Sequence, residues 1–234
     1  MSGISYPKIM LSVVVPSFNE SANIYTLLKE LDNTLSSLNS EYEIIVVDNA
    51  STDNTQDVLS KFKKEFPALI VAFEGKKGFG NALLKGFGIA RGLVIGYIHA
   101  DNQMDSLAVF EMYQRIVNND LALCKATRIN RNDGFTRLII SKTYNLFFRL
   151  MFSIRMNDIN GSPKLFTREF FEEAQLRSQD WFIDPEIVLK AHEMGVNMSE
   201  YEIPTRPRMH GDSQVGVATV FEFLKNMYNY FKNK

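Results

Sequence analysis

MLSVVVPSFNE at residues 10–20 and EIIVVDNASTDN at residues 43–54 decide the fold. Each begins with a short apolar run and ends in a polar cluster. Met10–Pro16 reads as a buried strand ending at proline, which cannot donate to a ladder. Glu43–Asp48 reads as a second strand. Between them, over Asn23–Leu38, Ile24, Leu27, Leu28, Leu31, Leu35 and Leu38 recur at helical spacing. The alternation continues outward. Thr52–Phe66 reads as a helix, Leu69–Phe73 as a strand, Gly80–Arg91 as a helix with small residues, and Leu93–His99 (LVIGYIH) as a fourth strand. Strand and helix alternating in this order predict an α/β fold. Its sheet is Rossmann-like, doubly wound, mostly parallel and flanked by helices, with right-handed crossovers.

Beyond Asp105 the order changes. A helix is predicted over Ser106–Val117, a strand over Ala122–Arg128, and a long amphipathic helix or helix pair over Thr136–Met156. A strand at Lys164–Thr167, a helix at Pro185–Met194, a strand at Met198–Pro204 and a closing helix at Val217–Lys232 follow. The expectation is one domain over residues 1–234. Residues 8–105 or so would form a nucleotide-binding half and the rest an acceptor half.

Composition narrows the class. The 45% of apolar and 23% of charged residues are ordinary globular values, so disorder is not the default. The formal net charge of −1 argues against a nucleic-acid partner. Cys124 is the one cysteine, so no internal disulfide forms, which fits a reducing, cytoplasmic compartment. The start, MSGISYPKIMLSVVVP, lacks the long apolar segment and cleavage site of a secretory signal. The most apolar region, Leu138–Met156, is broken by Lys142, Arg149 and Arg155, so any membrane contact is expected to be peripheral, on the cytoplasmic face. No internal repeat is present, and oligomeric state is not legible.

Open parallel sheets bind ligands at the carboxyl ends of their strands. Here those ends carry Ser17-Phe18-Asn19-Glu20, Asp48-Asn49-Ala50-Ser51-Thr52-Asp53 and His99-Ala100-Asp101-Asn102-Gln103. Asn, Asp and Ser also cap helices and form turns, and Ser51 or Asp53 suits a helix cap. Three polar loops on one edge nevertheless make a pocket rather than three unrelated turns. Gly75-Lys76-Lys77-Gly78-Phe79-Gly80-Asn81 precedes a helix, where its amides and lysines suit a phosphate or simply a turn.

His99, Asp101 and Gln103 alternate along a strand end and therefore share a side. Imidazole, carboxylate and amide oxygen together suit a hard divalent cation that also takes diphosphate oxygens. A histidine in this place is also an ordinary core residue. Asp101 is harder to dismiss, because a carboxylate closing an apolar strand needs a partner. Late in the chain, Arg206-Pro-Arg208-Met-His210-Gly-Asp-Ser213 is a compact cationic loop suited to clamping phosphate.

These motifs, in this order, resemble family 2 inverting glycosyltransferases of the GT-A fold, most closely the branch that acts on dolichyl and polyprenyl phosphates. VVVPSFNESANI (residues 13–24) is similar to that family's first-strand signature, and IIVVDNASTDNT (44–55) to its second, which usually reads VVDDGSTD. KKGFGNALLKGFGIARG (76–92) is similar to its lysine-glycine segment, and IHADNQ (98–103) stands at its Asp-x-Asp-x-Gln metal motif. ATRINR with TRLIISKTYN resembles its acceptor arginines and amphipathic helices. MNDINGSPKLFTRE (156–169) resembles its Asp-x-x-Ser-Gly-Phe-Arg segment, and FIDPEIVLKAHEMG (182–195) and EIPTRPRMHGDSQV (202–215) match its late motifs.

The resemblance implies that Pro16, Phe18, Glu20, Asp48 and Asn49 bind base and ribose, with Ser51, Lys77, Gly78 and Ala100 lining the nucleotide site. It implies that Asp101 and Gln103, with His99, hold Mg2+ or Mn2+ and the diphosphate. Arg128, Arg137 and Ser141 would receive the acceptor phosphate, with Arg208 and Ser213 gripping phosphates from the closing loop. Two positions depart from the pattern. His99 replaces the leading Asp of the metal motif and adds no negative charge, and Asn160-Gly161-Ser162-Pro163-Lys164 replaces Ser-Gly-Phe-Arg.

The expected reaction is a single inverting displacement from a nucleoside-diphosphate sugar. The metal, with Lys76, Lys77 or Arg208, would neutralise the leaving diphosphate. A polyprenyl phosphate acceptor is already anionic and needs no strong base. A sugar hydroxyl, the alternative acceptor, needs a carboxylate, for which Asp184 is the candidate and Glu186 the second choice, unless Asp184-Pro185 only caps a helix. Leu138–Met156 and Val217–Lys232 mix apolar and basic residues, as interfacial helices do, though core or dimer helices share that pattern. Two rival readings are a degenerate nucleotide-sugar-binding protein and a nucleotidyltransferase. The second lacks the glycine-rich loop expected directly after the first strand.

Overall fold

The computed structural model describes residues 9–38, 40–129, 135–207 and 217–232, of which 135–142 and 217–224 as backbone alone. The elements run β1 (Ile9–Ser17), α1 (Ile24–Leu35), β2 (Glu41–Asp48), α2 (Thr55–Phe62), β3 (Leu69–Phe73), α3 (Phe79–Ile89) and β4 (Val94–Tyr97). They continue as α4 (Leu107–Asn119), β5 (Leu123–Ile129), α5 (Phe135–Phe152), β6 (Lys164–Thr167), α6 (Arg168–Ala174), α7 (Ile183–Glu193), β7 (Met198–Pro204) and α8 (Val217–Lys232). One seven-stranded sheet has the order β3-β2-β1-β4-β6-β5-β7.

Pairs β1·β2, β1·β4, β2·β3 and β5·β7 are parallel, whereas β6 runs antiparallel to both β4 and β5. It follows that β6 alone is reversed. The carboxyl ends of the other six strands, and the start of β6, share one edge. The doubly wound, mostly parallel expectation is met.

The apolar runs bury on both faces, as parallel strands covered by helices must. Leu11, Val13, Val15, Ile44 and Val46 pack with α1 and α4, while Val14, Ile45, Val47, Ile95 and Tyr97 pack with α3 and α7. A Cβ on Gly86 would come within 2.3 Å of a Val14 methyl, so α3 lies close against β1. At the opposite edge from the site, the buried Glu43 carboxylate accepts from Ser12 Oγ at 2.6 Å and from Arg91 Nε and Nη2 at 2.9 and 2.6 Å. A third cluster, with Tyr144, Phe148, Phe152, Phe182, Val188 and Met227, seats α5 and α8 on α7.

Candidate functional site

The three polar loops that follow β1, β2 and β4 come to the shared edge. Asp48 closes β2 beside Ser17, its register partner on β1. The backbone continues from β4 beside β1, with Ile98 N donating to Val14 O at 3.1 Å. The Asp48 and Asp101 loops therefore flank the end of β1. Arg128, near the end of β5, and Thr205, just past β7, reach the same edge.

Side chains stitch these loops together. Asn19 binds the β2 loop: its Oδ1 accepts from Thr52 N at 2.8 Å, and its N donates to Ser51 Oγ at 3.0 Å. Buried Asp48 accepts from Gln56 Nε2 at 2.7 Å and from Ser51 N at 3.3 Å. Asn102 Nδ2 donates to Asn23 O at 3.0 Å, and Gln103 N donates to Asp101 Oδ1 at 3.2 Å. Each of the three loops also holds one non-glycine residue in the left-handed region, namely Asn19, Ala50 and Asn102, with φ of 57°, 57° and 56°.

Asn tolerates that conformation, whereas Ala stores strain of about 1 kcal/mol or more there. Ala50 occupies the glycine position of the VVDDGSTD pattern. Ala50→Gly is therefore expected to raise stability by about 1 kcal/mol, read as a higher denaturation midpoint at unchanged slope.

Asn49 does what Asp cannot. Its Nδ2 donates to Glu74 O at 3.1 Å and Lys76 O at 2.8 Å, and its Oδ1 accepts from Gly78 N at 2.8 Å. The loop before α3 is built on this amide. Asn49→Asp sets a carboxylate against two carbonyl oxygens. It is expected to cost about 1–3 kcal/mol in thermal unfolding and to weaken nucleotide binding by loosening the loop.

Gly78 and Gly80 of the lysine-glycine segment serve packing. A Cβ on Gly80 would meet Ser178 O at 2.2 Å, and one on Gly78 (φ 150°) would meet Gln179 O at 2.4 Å. Gln179 O accepts from Asn81 N at 3.1 Å. The Gly78 and Asn81 amides are thus engaged within the protein. Lys77 Nζ stands 3.8 Å over the Phe18 ring, and Lys76 Nζ bonds Gln179 Oε1.

Pro16, Phe18, Glu20, Ser51 and Gln103 are half-buried around this edge, and Ala100 is buried. His99 lies stacked on Phe79, with centroids 5.1 Å apart and planes at 13°. Arg128 binds Asp158 through Nε at 2.7 Å and Nη2 at 2.8 Å, so a carboxylate already faces its guanidinium. Asp184 is buried and meets Lys164 Nζ at 2.6 Å and the Tyr97 hydroxyl. Burial pushes the Asp184 carboxyl well above the usual carboxylate range and the Lys164 amine well below its own. Glu186 accepts from Arg177 N and Ser178 N at 3.0 and 2.8 Å.

Arg137 and Ser141 fall on α5 where only backbone is described, and Arg208 and Ser213 lie outside the described residues. The approach to that last segment is described: Arg206 N donates to Gln103 O at 2.8 Å. The Arg206 guanidinium pairs Glu30 at 3.1 Å and Asp105 at 2.6 Å.

Sequence reasoning named Ser17, Asn160 and Ser162 without giving them a role, and it missed Trp181. Ser17 Oγ, Asn160 Oδ1 and Ser162 Oγ are buried at this edge with no hydrogen-bond partner among the described residues. Trp181 stacks on Phe79 at 4.5 Å. It is the only tryptophan of the chain, which was the one signal available.

Among the described residues no three His, Cys, Asp or Glu side chains gather. The oxygen donors that the sequence proposed for a metal, the Asp101 carboxylate and the Gln103 amide, lie in the turn after β4. One carboxylate and one amide fit an ion that completes its shell with substrate phosphates and water, as Mg2+ does, and not a protein-caged metal.

A dolichol-phosphate mannosyltransferase from Pyrococcus furiosus is 29% identical over 230 residues, 95% of this chain and 64% of that protein. A dodecaprenyl-phosphate galacturonate synthase from Rhizobium johnstonii is 26% identical over 93% of this chain and 65% of its own length. The chain thus spans just under two thirds of these relatives. Among solved structures, glucosyl-3-phosphoglycerate synthase from Mycobacterium tuberculosis superposes with a TM-score of 0.76 at 15% identity. That match covers 96% of this chain and 80% of the neighbour, in a complex with Mn2+, uridine-diphosphate-glucose and phosphoglyceric acid. At that identity the likeness establishes the fold, which is GT-A. The family model for glycosyl transferase family 2 matches residues 12–174. With its GT-A sheet, its converging edge loops and a family match over most of its length, this chain belongs to glycosyl transferase family 2.

Proposed function

We propose that the chain transfers a sugar, with inversion, from a nucleoside-diphosphate sugar to a polyprenyl phosphate at a membrane surface. The observation that carries the reading is the convergence of the Asp48 and Asp101 loops on the edge that also presents Arg128. The named activities of the two curated relatives, both on polyprenyl-type phosphates, support it.

Asp48 with Pro16 and Phe18 holds the base and ribose, and Lys77 lies within reach of the diphosphate. Asp101 and Gln103 hold Mg2+ or Mn2+, which when bound neutralises charge on the leaving diphosphate. Arg128, steadied by Asp158, and Arg137 orient the acceptor phosphate. That phosphate is anionic at neutral pH, so no side chain has to take a proton. The burial of Asp184 against Lys164 supports this base-free version, because a carboxylate so engaged is poorly placed to deprotonate a sugar hydroxyl.

The test is transfer from a panel of nucleotide sugars to polyprenyl phosphate and to the matching polyprenol. Transfer to the phosphate alone is expected. Equal transfer to the alcohol contradicts the reading.

The membrane side is assigned to α5 and α8. No described helix is long and apolar enough to cross a membrane. Leu146, Phe147 and Leu150 of α5, and Tyr228 and Phe231 of α8, are exposed, Leu150 at 70%. Arg149 lies among them, and α8 ends in Lys232. Apolar side chains flanked by cations suit an anionic bilayer interface, on its cytoplasmic face in this reading. Phe147→Glu with Leu150→Glu is expected to cut flotation with anionic liposomes at low salt by roughly tenfold or more. Unchanged flotation would remove this surface from the account.

A further inference from the structure

Three rings at the carboxyl edge have no task in the scheme above. Phe79 opens α3, His99 follows β4, and Trp181 lies just ahead of α7. Phe79 and Trp181 are 4.5 Å apart at 15°, Phe79 and His99 5.1 Å apart at 13°, and His99 and Trp181 6.4 Å apart at 28°. The rings form a nearly parallel, half-buried array. Buried Tyr97 meets Phe79 and His99 edge-on at 6.1 and 6.2 Å and braces the array from the core side. Gly78 and Gly80 let the 178–180 backbone lie against the start of α3, which sets Trp181 on Phe79. Stacked and braced in advance, the rings lose little freedom on binding a ligand.

We propose that this array is the floor on which the sugar ring of the donor rests, and that His99 serves there as a ring. The proposal rests on the donor reading given under Proposed function. A pyranose presents a face of C–H groups that packs on aromatic rings, with hydroxyls around its rim that seek polar partners. The position fits such a ligand. Asp101, two residues beyond His99 in the turn that follows β4, would hold the metal that bridges to the diphosphate. The base side, at Pro16, Phe18 and Asp48, lies toward β2. A donor threaded this way sends its sugar toward β4 and β6, where the array stands.

Trp181, as the sole tryptophan, reports on the array without a label. The full chain with Mn2+ is titrated with matched pairs, UDP against UDP-glucose and GDP against GDP-mannose. Calorimetry reads binding and Trp181 emission reads the array. The sugar nucleotide that binds is expected to change the emission, while its bare diphosphate binds with little change. Phe79→Leu is expected to weaken the sugar nucleotide about tenfold and the bare diphosphate less than about twofold. His99→Asp, which removes a ring and restores the acidic residue of the metal motif, is expected to weaken the sugar nucleotide as well.

Binding of a sugar nucleotide without any emission change overturns the array and leaves the donor reading standing. So do equal responses to bare and sugar nucleotides, which would place the base on these rings. Tighter sugar-nucleotide binding by His99→Asp likewise overturns it. If calorimetry shows neither nucleotide nor nucleotide sugar binding, the donor reading falls and takes the array with it.

Discussion

Asp184→Ala is expected to destabilise the protein by about 3–5 kcal/mol, a fall in Tm of roughly 10 °C for a chain of this size. The reason lies in what the substitution leaves behind. Lys164 is fully buried, and its Nζ meets Asp184 Oδ1 at 2.6 Å and Tyr97 Oη at 3.1 Å. Truncating the carboxylate leaves the amine in the core with the Tyr97 hydroxyl alone among the described residues. Replacing the whole triad is expected to be far milder. Tyr97→Phe, Lys164→Met and Asp184→Leu together remove every polar atom of the group while staying close to its heavy-atom shape, so the triple variant should recover most of the loss. Thermal unfolding of the single and triple variants is the check. A single variant as stable as the wild type would show that the cluster carries no weight. This result also bears on catalysis, because a loss of activity in Asp184→Ala counts toward a base only where the variant remains folded at the assay temperature.

Asp101→Asn is expected to lower kcat by about 10³-fold while leaving Tm within about 2 °C of the wild type. Asp101 is half-buried at the end of the β4 segment, and Gln103 N donates to its Oδ1 at 3.2 Å. An amide oxygen at that position still accepts the Gln103 bond, so the loop keeps its shape. What is lost is the negative charge that draws a divalent cation to the diphosphate. Steady-state kinetics at saturating Mn2+ separates the two effects. A kcat within tenfold of the wild type would mean that no essential metal is held there.

The first four strands and the helices between them were readable because each is an apolar run of fixed period ended by polar residues. Their ends were less so. The second helix, expected from Thr52, begins at Thr55, since the Thr52 and Asp53 amides donate to Asn19 Oδ1 from the β1 loop. The fourth strand stops at Tyr97, before His99 enters its ring stack. Nothing in KLFT announces that β6 runs against its neighbours between β4 and β5, because pairing direction leaves no mark in so short a run. The seven-residue α6 was missed for the same lack of period.

At the site, the carboxylates were legible from their position after strands. The pairing of Lys164 with Asp184 across 20 residues was not, nor was the grip of Asn49 on residues 74–78. Neither follows any spacing rule, because each joins elements that only the folded sheet brings together: β6 with α7, and the β2 loop with the segment before α3.

The claim on which the rest stands is that the Asp48 and Asp101 loops jointly hold a cation-bridged donor. Calorimetric titration of the wild type and Asp101→Asn with UDP-glucose and GDP-mannose, in Mn2+ and again in EDTA, tests it directly. The account predicts saturable binding of a nucleotide sugar by the wild type in Mn2+, weakened at least about tenfold by EDTA or by the substitution. Binding of equal strength in all four conditions, or none in any, would contradict it.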